Sequence, residues 1–169
     1  GAAVGADPVR YVAGDGDTGE TFGIAVSVRG DLVLCGAPLD DAAGPFAGSA
    51  YLFDRATGAE LLKLMPAAGS ISSISGTAVA LGEGVAFVGA PNAGGGVGAV
   101  CVHDSATGDE LDRLIGASSG DYFGTSLAFD GTRLLVGASG AGAGGMVYVY
   151  DMTRGGGPVE LAPADGARE

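Results

Sequence analysis

The chain has 169 residues, long enough for one domain with a core of its own, and its apolar content is too high for a disordered chain. Charged residues make up only 17% and glycine fills 34 positions without a collagen-type period. The formal net charge of −12, with eight basic residues scattered singly, argues against nucleic acid as a partner, because a phosphate-binding face needs clustered Lys and Arg.

No run of about 18 apolar residues is present, so no membrane span is expected. No signal peptide is visible either. Cys35 and Cys101 have neither metal-site spacing nor the density of a disulfide framework. Cys35 aligns with Val88 and Val136 in the later repeats and reads as a core residue; a bridge between the two cysteines is left open.

Residues 1–7 are small and Gly/Ala-rich and read as loose. Residues 8–13 (PVRYVA) read as an extra leading strand, similar to what closes each later unit at 60–64, 110–114 and 159–162. A first strand then starts at Phe22-Gly23. Phe22, Ile24, Val26 and Val28 alternate with Gly23, Ala25, Ser27 and Arg29, and a period of two means strand. A tight turn at Gly30 leads to Leu32-Val33-Leu34-Cys35, apolar without alternation, as in a strand buried on both faces. That strand stops at Gly36-Ala37-Pro38. A variable connection leads to a third strand, Ala50-Tyr51-Leu52-Phe53. Asp54-Arg55-Ala56-Thr57-Gly58 supplies the next turn, and a more polar fourth strand completes the unit, its charges suited to an exposed edge.

The same pattern occurs twice more. Phe22-Gly23 returns as Ser75-Gly76 and Phe123-Gly124; Gly36-Ala37-Pro38 returns as Gly89-Ala90-Pro91 and Gly137-Ala138-Ser139. The spacing is roughly 50 residues, which suits a four-stranded propeller blade. The expected fold is all-β: a single repeat domain over 1–169, with three four-stranded antiparallel repeats at about 15–64, 71–114 and 119–162 acting as β-propeller blades. With the leading strand this makes thirteen strands.

These motifs resemble the FG-GAP repeats that build the β-propeller of integrin α subunits and many bacterial surface proteins. The resemblance spans roughly residues 9–162. It departs from the pattern at Ser75, where Phe is usual, and at Ser139, where Pro is usual. It implies an adhesion or ligand-binding scaffold. Calcium-binding members carry an acidic loop between the first two strands; here that place holds only short turns, so the family's metal site is not carried over.

Three places carry candidate chemistry. Arg29-Gly30-Asp31 spells the tripeptide that integrins recognise and falls on a hairpin turn, beside the plainer reading of an ordinary turn. Asp15, Asp17 and Glu20 put three carboxylates on one Gly-rich loop, a calcium candidate set against solvated loop acid. Asp40 and Asp41, in the longest variable connection, are candidates to join a cation site or a binding loop. His103, the only histidine, occupies the slot of Phe53 and Tyr150 and reads as packing. The Tyr51, Phe53, Tyr148 and Tyr150 faces read as inter-blade core. No set of acid, base, nucleophile or metal ligands converges, so an enzyme is not expected.

Three blades are fewer than the four to eight that usually close a propeller. The remainder of a longer chain, two chains making six blades, and strand sharing in a fibre would each account for this. The function expected is a non-catalytic extracellular or cell-surface scaffold for adhesion or protein–protein assembly. Its partners would be further copies of itself or a surface protein or glycan, with no cofactor beyond a possible calcium. The alternative is a subunit of a homopolymeric extracellular fibre joined through its terminal strands.

Overall fold

The computed structural model describes residues 8–66, 72–153 and 157–161. The stretch 1–7, the first residue of the second repeat (71) and the last of the third (162) lie outside the described residues. Three antiparallel sheets form in chain order. Sheet 1 holds β1 (Val26–Arg29), β2 (Leu32–Ala37), β3 (Ser49–Asp54) and β4 (Glu60–Leu64). Sheet 2 holds β5 (Ala78–Leu81), β6 (Val85–Ala90), β7 (Ala99–Asp104) and β8 (Glu110–Ile115). Sheet 3 holds β9 (Phe123–Phe129), β10 (Arg133–Ala138), β11 (Met146–Asp151) and β12 (Val159–Leu161). Each sheet runs in simple sequence order, the up-and-down pattern of a propeller blade, and the three do not close into a ring.

The alternation of apolar residues decides which face meets which neighbour. Leu34, Ala50, Leu52 and Leu64 of sheet 1 pack with Val79, Leu81, Ala86 and Val88 of sheet 2. The opposite face of sheet 2, with Ala80, Phe87, Val100 and Val102, packs with Phe123, Leu134, Val136 and Tyr148 of sheet 3. The continuous apolar runs predicted for the second strands are explained by this layering, since β2 and β6 lie between two apolar layers.

The Phe-Gly motif makes a corner, which lies outside the ladder in the first two repeats and forms the irregular start of β9 in the third. Thr21, Ile74 and Tyr122 take positive φ (57°, 47° and 53°), and so do Gly23, Gly76 and Gly124 (86°, 92° and 90°). The ladder of β1 therefore starts at Val26, four residues later than the alternation suggests. At each corner between sheets, the glycine carbonyl is pressed onto a glycine of the preceding sheet. A Cβ added at Gly36 would lie 1.9 Å from the Gly76 oxygen, and one added at Gly89 would lie 2.2 Å from the Gly124 oxygen. Short parallel bridges, Gly48 with Ser75 and Gly98 with Phe123, flank the two contacts.

Residues 8–13, read from the sequence as a strand, are not one: they join no ladder among the described residues. They lie over sheet 1. Tyr11 meets Phe53 edge-on at 5.6 Å and donates its hydroxyl to the Arg55 carbonyl at 2.9 Å, while Ala13 is buried beside Tyr51 and Phe53. The tendency to extend was legible, but a strand needs a partner edge, and these residues pack on the face of sheet 1 instead.

Gly36→Ala and Gly89→Ala are expected to separate adjoining sheets, because neither the new methyl nor the backbone carbonyl it meets can rotate away. Each should cost about 3 kcal/mol, read as a lower midpoint in denaturant unfolding.

Candidate functional site

The densest set of polar side chains gathers at one end of sheet 1, where residues 14–20 and the connection after β2 come together. Asp40 is its centre and is only 1% exposed. Its Oδ1 accepts the Ala42 amide at 2.9 Å, and its Oδ2 accepts the Ser49 hydroxyl at 2.5 Å. The Tyr51 hydroxyl lies 2.7 Å from Asp40 Oδ2 and 2.8 Å from Asp15 Oδ1, and shares its one hydrogen between them. The Lys63 ammonium sits 2.7 Å from both Asp40 and Asp15, and 5.0 Å from the centre of the Tyr51 ring. Lys63 is the only lysine in the sequence.

Strand register brings these groups together: Tyr51 on β3 pairs directly with Lys63 on β4. Burial pushes the Asp40 carboxyl up, but hydrogen bonds from Lys63, Ser49, the Ala42 amide and Tyr51 outweigh that and bring it down to about 2. Hydrogen bonds from Lys63 and Tyr51 hold Asp15 below its ordinary value. Burial pulls the Lys63 ammonium down, but its contacts with Asp15, Asp40 and Tyr51 prevail and raise it. Burial is the main cause keeping the Tyr51 phenol protonated above its ordinary range.

The three carboxylates read as one loop site are thus divided. Asp15 turns to Lys63 and Tyr51. Glu20 instead joins Asp40 and Asp41, the three offering carboxylate oxygens within 4.8 Å of one another. Oε2 of Glu20 is buried without a hydrogen-bond partner. Asp17 is exposed and lines, with Glu20, Asp41 and Phe46, an open hollow of about 420 Å³. Calcium takes six to eight oxygens, and three side chains supply fewer than that. One of the three, Asp40, already faces an ammonium. The geometry is first that of an ion-pair corner fastening two loops to the sheet.

Arg29 and Asp31 are both exposed on the β1–β2 turn, with Gly30 at φ 55°. The turn is braced from behind: the Arg55 amide donates to the Asp31 carbonyl at 2.7 Å and its guanidinium to the Gly30 carbonyl at 3.2 Å.

Sequence reasoning missed a second set, Cys101, His103 and Glu110, whose ligand atoms lie within 4.8 Å of one another. The signal for two of them was present, since Cys101 and His103 are two apart on one strand face. Glu110 joins them through the β7–β8 register. The Arg113 guanidinium engages both oxygens of Glu110, at 2.7 and 2.8 Å. His103 is 2% exposed, and its Nδ1 lies 3.1 Å from the Gly108 carbonyl. Burial pushes the Cys101 thiol up to about 11 and His103 below its usual value. Both are therefore uncharged near neutral pH, as packing residues. Cys35 and Cys101 are both buried and free.

The second repeat lacks the aromatic motif for a related reason. Phe22 lies edge-on to Tyr51 and Phe53, and Phe123 edge-on to Tyr148 and Tyr150. In sheet 2 the equivalent places hold Ser75, Cys101 and His103, smaller at all three positions, and all three are buried.

Lys63→Met is expected to cost about 3 kcal/mol, because it leaves a buried carboxylate without its cation. Lys63→Met with Asp40→Asn should cost less than Lys63→Met alone, measured by denaturant unfolding. The depressed Asp40 value gives stability that is complete above pH 3.8 and is lost as pH falls towards 2, on the order of 2 kcal/mol. His103 acts at a higher pH. Its folded value lies below 6.5, so stability should start to fall as pH drops through 6.5. His103→Phe should flatten that limb in a pH series of thermal midpoints and leave the lower one.

Three comparisons place this geometry among known proteins. The FG-GAP repeat matches residues 7–53 and 115–150, covering most of the first repeat and much of the third. No curated protein matches the chain. Among solved structures, the crystal structure of the computationally designed Ika4 protein superposes with a TM-score of 0.58 at 24% identity, over 90% of this chain and 76% of that one, a likeness of fold alone. With the Phe-Gly corners seated on the glycines of the Gly-Ala-Pro strands and the repeat matched at both ends of the array, the chain carries FG-GAP repeats.

Proposed function

We propose that the chain is a non-catalytic scaffold for adhesion or protein–protein assembly, working at the cell surface or outside the cell. FG-GAP repeats form propeller-like interaction modules, and this chain has three four-stranded sheets in a row, with that repeat matched over the first and the third. The observation that carries the reading is the state of its first face. Val26 and Val28 share one face of β1 and are 68% and 62% exposed, and Ile24, just before the strand, is 61% exposed. A contiguous exposed apolar face marks an interaction surface. The buried titratable groups, by contrast, are taken up in holding the fold: Asp40 by Lys63, and His103 by the Gly108 carbonyl.

The homopolymeric fibre is a second reading. It is favoured by the unladdered segment 8–13 and by β12, which has three residues, all exposed. An open strand edge or an unpaired strand is a ready joint between chains.

The native mass in solution, measured by light scattering over a wide range of concentration, tests both. A fixed multiple of 16.2 kDa is expected for a closed assembly. A mass that keeps growing with concentration supports the fibre instead. A single-chain mass at every concentration would sink self-assembly and leave only an interaction with other molecules.

A further inference from the structure

The contact joining sheet 1 to sheet 2, and sheet 2 to sheet 3, has two halves. One is a corner with two apolar residues behind it: Gly76 with Val79 and Leu81, or Gly124 with Leu127 and Phe129. The other is a socket, built on Gly36 in sheet 1 and on Gly89 in sheet 2, with the second, third and fourth strands around it. Each half appears once more without its mate.

The spare corner is on sheet 1. Gly23 has the same positive φ as Gly76 and Gly124, but a Cβ added there would meet nothing within 4 Å. Val26 and Val28 stand in register where Val79 and Leu81 stand in sheet 2. Val79 and Leu81 are 7% and 4% exposed, whereas Val26 and Val28 are 68% and 62% exposed.

The spare socket is on sheet 3. Gly137 aligns with Gly36 and Gly89, pairing with Val147 as they pair with Ala50 and Val100. The atoms nearest a Cβ there are all of Ser126 in its own sheet, the hydroxyl first at 2.2 Å, and none is a carbonyl of another sheet. Above it lies an open hollow of about 430 Å³ lined by Ser126, Gly137, Gly145, Val147 and Leu161. Gly145 has φ 85°, close to those of its counterparts Gly48 (73°) and Gly98 (84°), which form the parallel bridges. Leu161, the counterpart of the buried Leu64, is 52% exposed.

We propose that the outer face of sheet 1 docks on the outer face of sheet 3 of a second copy of this chain. The Gly23 carbonyl seats over Gly137, and Phe22 bridges to Gly145. The proposal rests on the assembly reading above and names its joint. The occupant is a second copy because the missing half of each end is the half displayed at the other end. The joint is head-to-tail, and two copies closing on each other align six sheets, within the usual range for a propeller.

The segment 8–13 fits the same joint. Gly58 packs against Val9 and the Arg10 carbonyl much as Gly108 packs against Leu62 and Leu64 of β4. Residues 9–13 thus stand towards sheet 1 as β4 stands towards sheet 2.

The test uses two variants and their mixture, by light scattering, with circular dichroism to confirm that each folds. Gly137→Ala fills the socket, and its methyl needs only the Ser126 hydroxyl to turn aside. Val26→Glu places a charge on the corner face. Each alone is expected to weaken association by about a hundredfold or more and to give single chains where the wild type assembles. Mixed, they should give two-chain particles, because one chain keeps its corner and the other its socket. Wild-type protein that assembles while both variants assemble equally well would overturn this joint and leave the assembly reading standing. Wild-type protein that stays a single chain at every concentration would overturn both.

Discussion

The structure depends on a backbone carbonyl lying against a glycine. Gly76 approaches Gly36, and Gly124 approaches Gly89, so closely that no side-chain carbon fits between them. Two sheets can come that near only where one strand lacks a Cβ and the other can turn its carbonyl outwards. The second requirement explains the positive φ at the Phe-Gly corners. Once the corner is seated, the alternating apolar residues on either side meet in register, and the buried clusters between sheets follow from it. The ion-pair corner of sheet 1 does something else. It fastens loops to a sheet and takes no part in joining sheets.

Much of this was legible in the sequence because it is said three times. The all-β class, the three units, the second and third strands and the turns at Asp54 and Asp104 all appear where period and turn chemistry put them. What was not legible depends on long-range partners. Asp15 and Glu20 are five residues apart on one loop, yet Asp15 is claimed by Lys63, 48 residues on. Residues 8–13 have the composition of a strand, but strand is a property of a pair. The early part of the first strand alternates correctly and is still not ladder, because positive φ at Thr21 and Gly23 turns the chain before Val26.

The second repeat shows what the pattern tolerates. Ser75 replaces the aromatic residue, while Cys101 and His103 fill the places of a Tyr and a Phe or Tyr, and the sheet still packs on both sides. The aromatic cluster is therefore a local filling that each blade composes for itself. The glycine pair is not: it is kept at both joints within the chain.

The closest contact between sheets is between main-chain atoms, with apolar side chains filled in around it, and this bears on how such arrays change over time. A joint set by a glycine and a carbonyl, and asking of the side chains around it only that they be apolar, makes few demands on which unit stands on either side. A whole unit can be copied, lost or exchanged between genes, and the new neighbours still fit at once. In the loop carrying Asp40 and Asp41, the carbonyls of Pro45, Phe46 and Ala47 belong to that joint, accepting the amides of Ser72, Ile74 and Ser75, so divergence from unit to unit is left to the part of the loop before them.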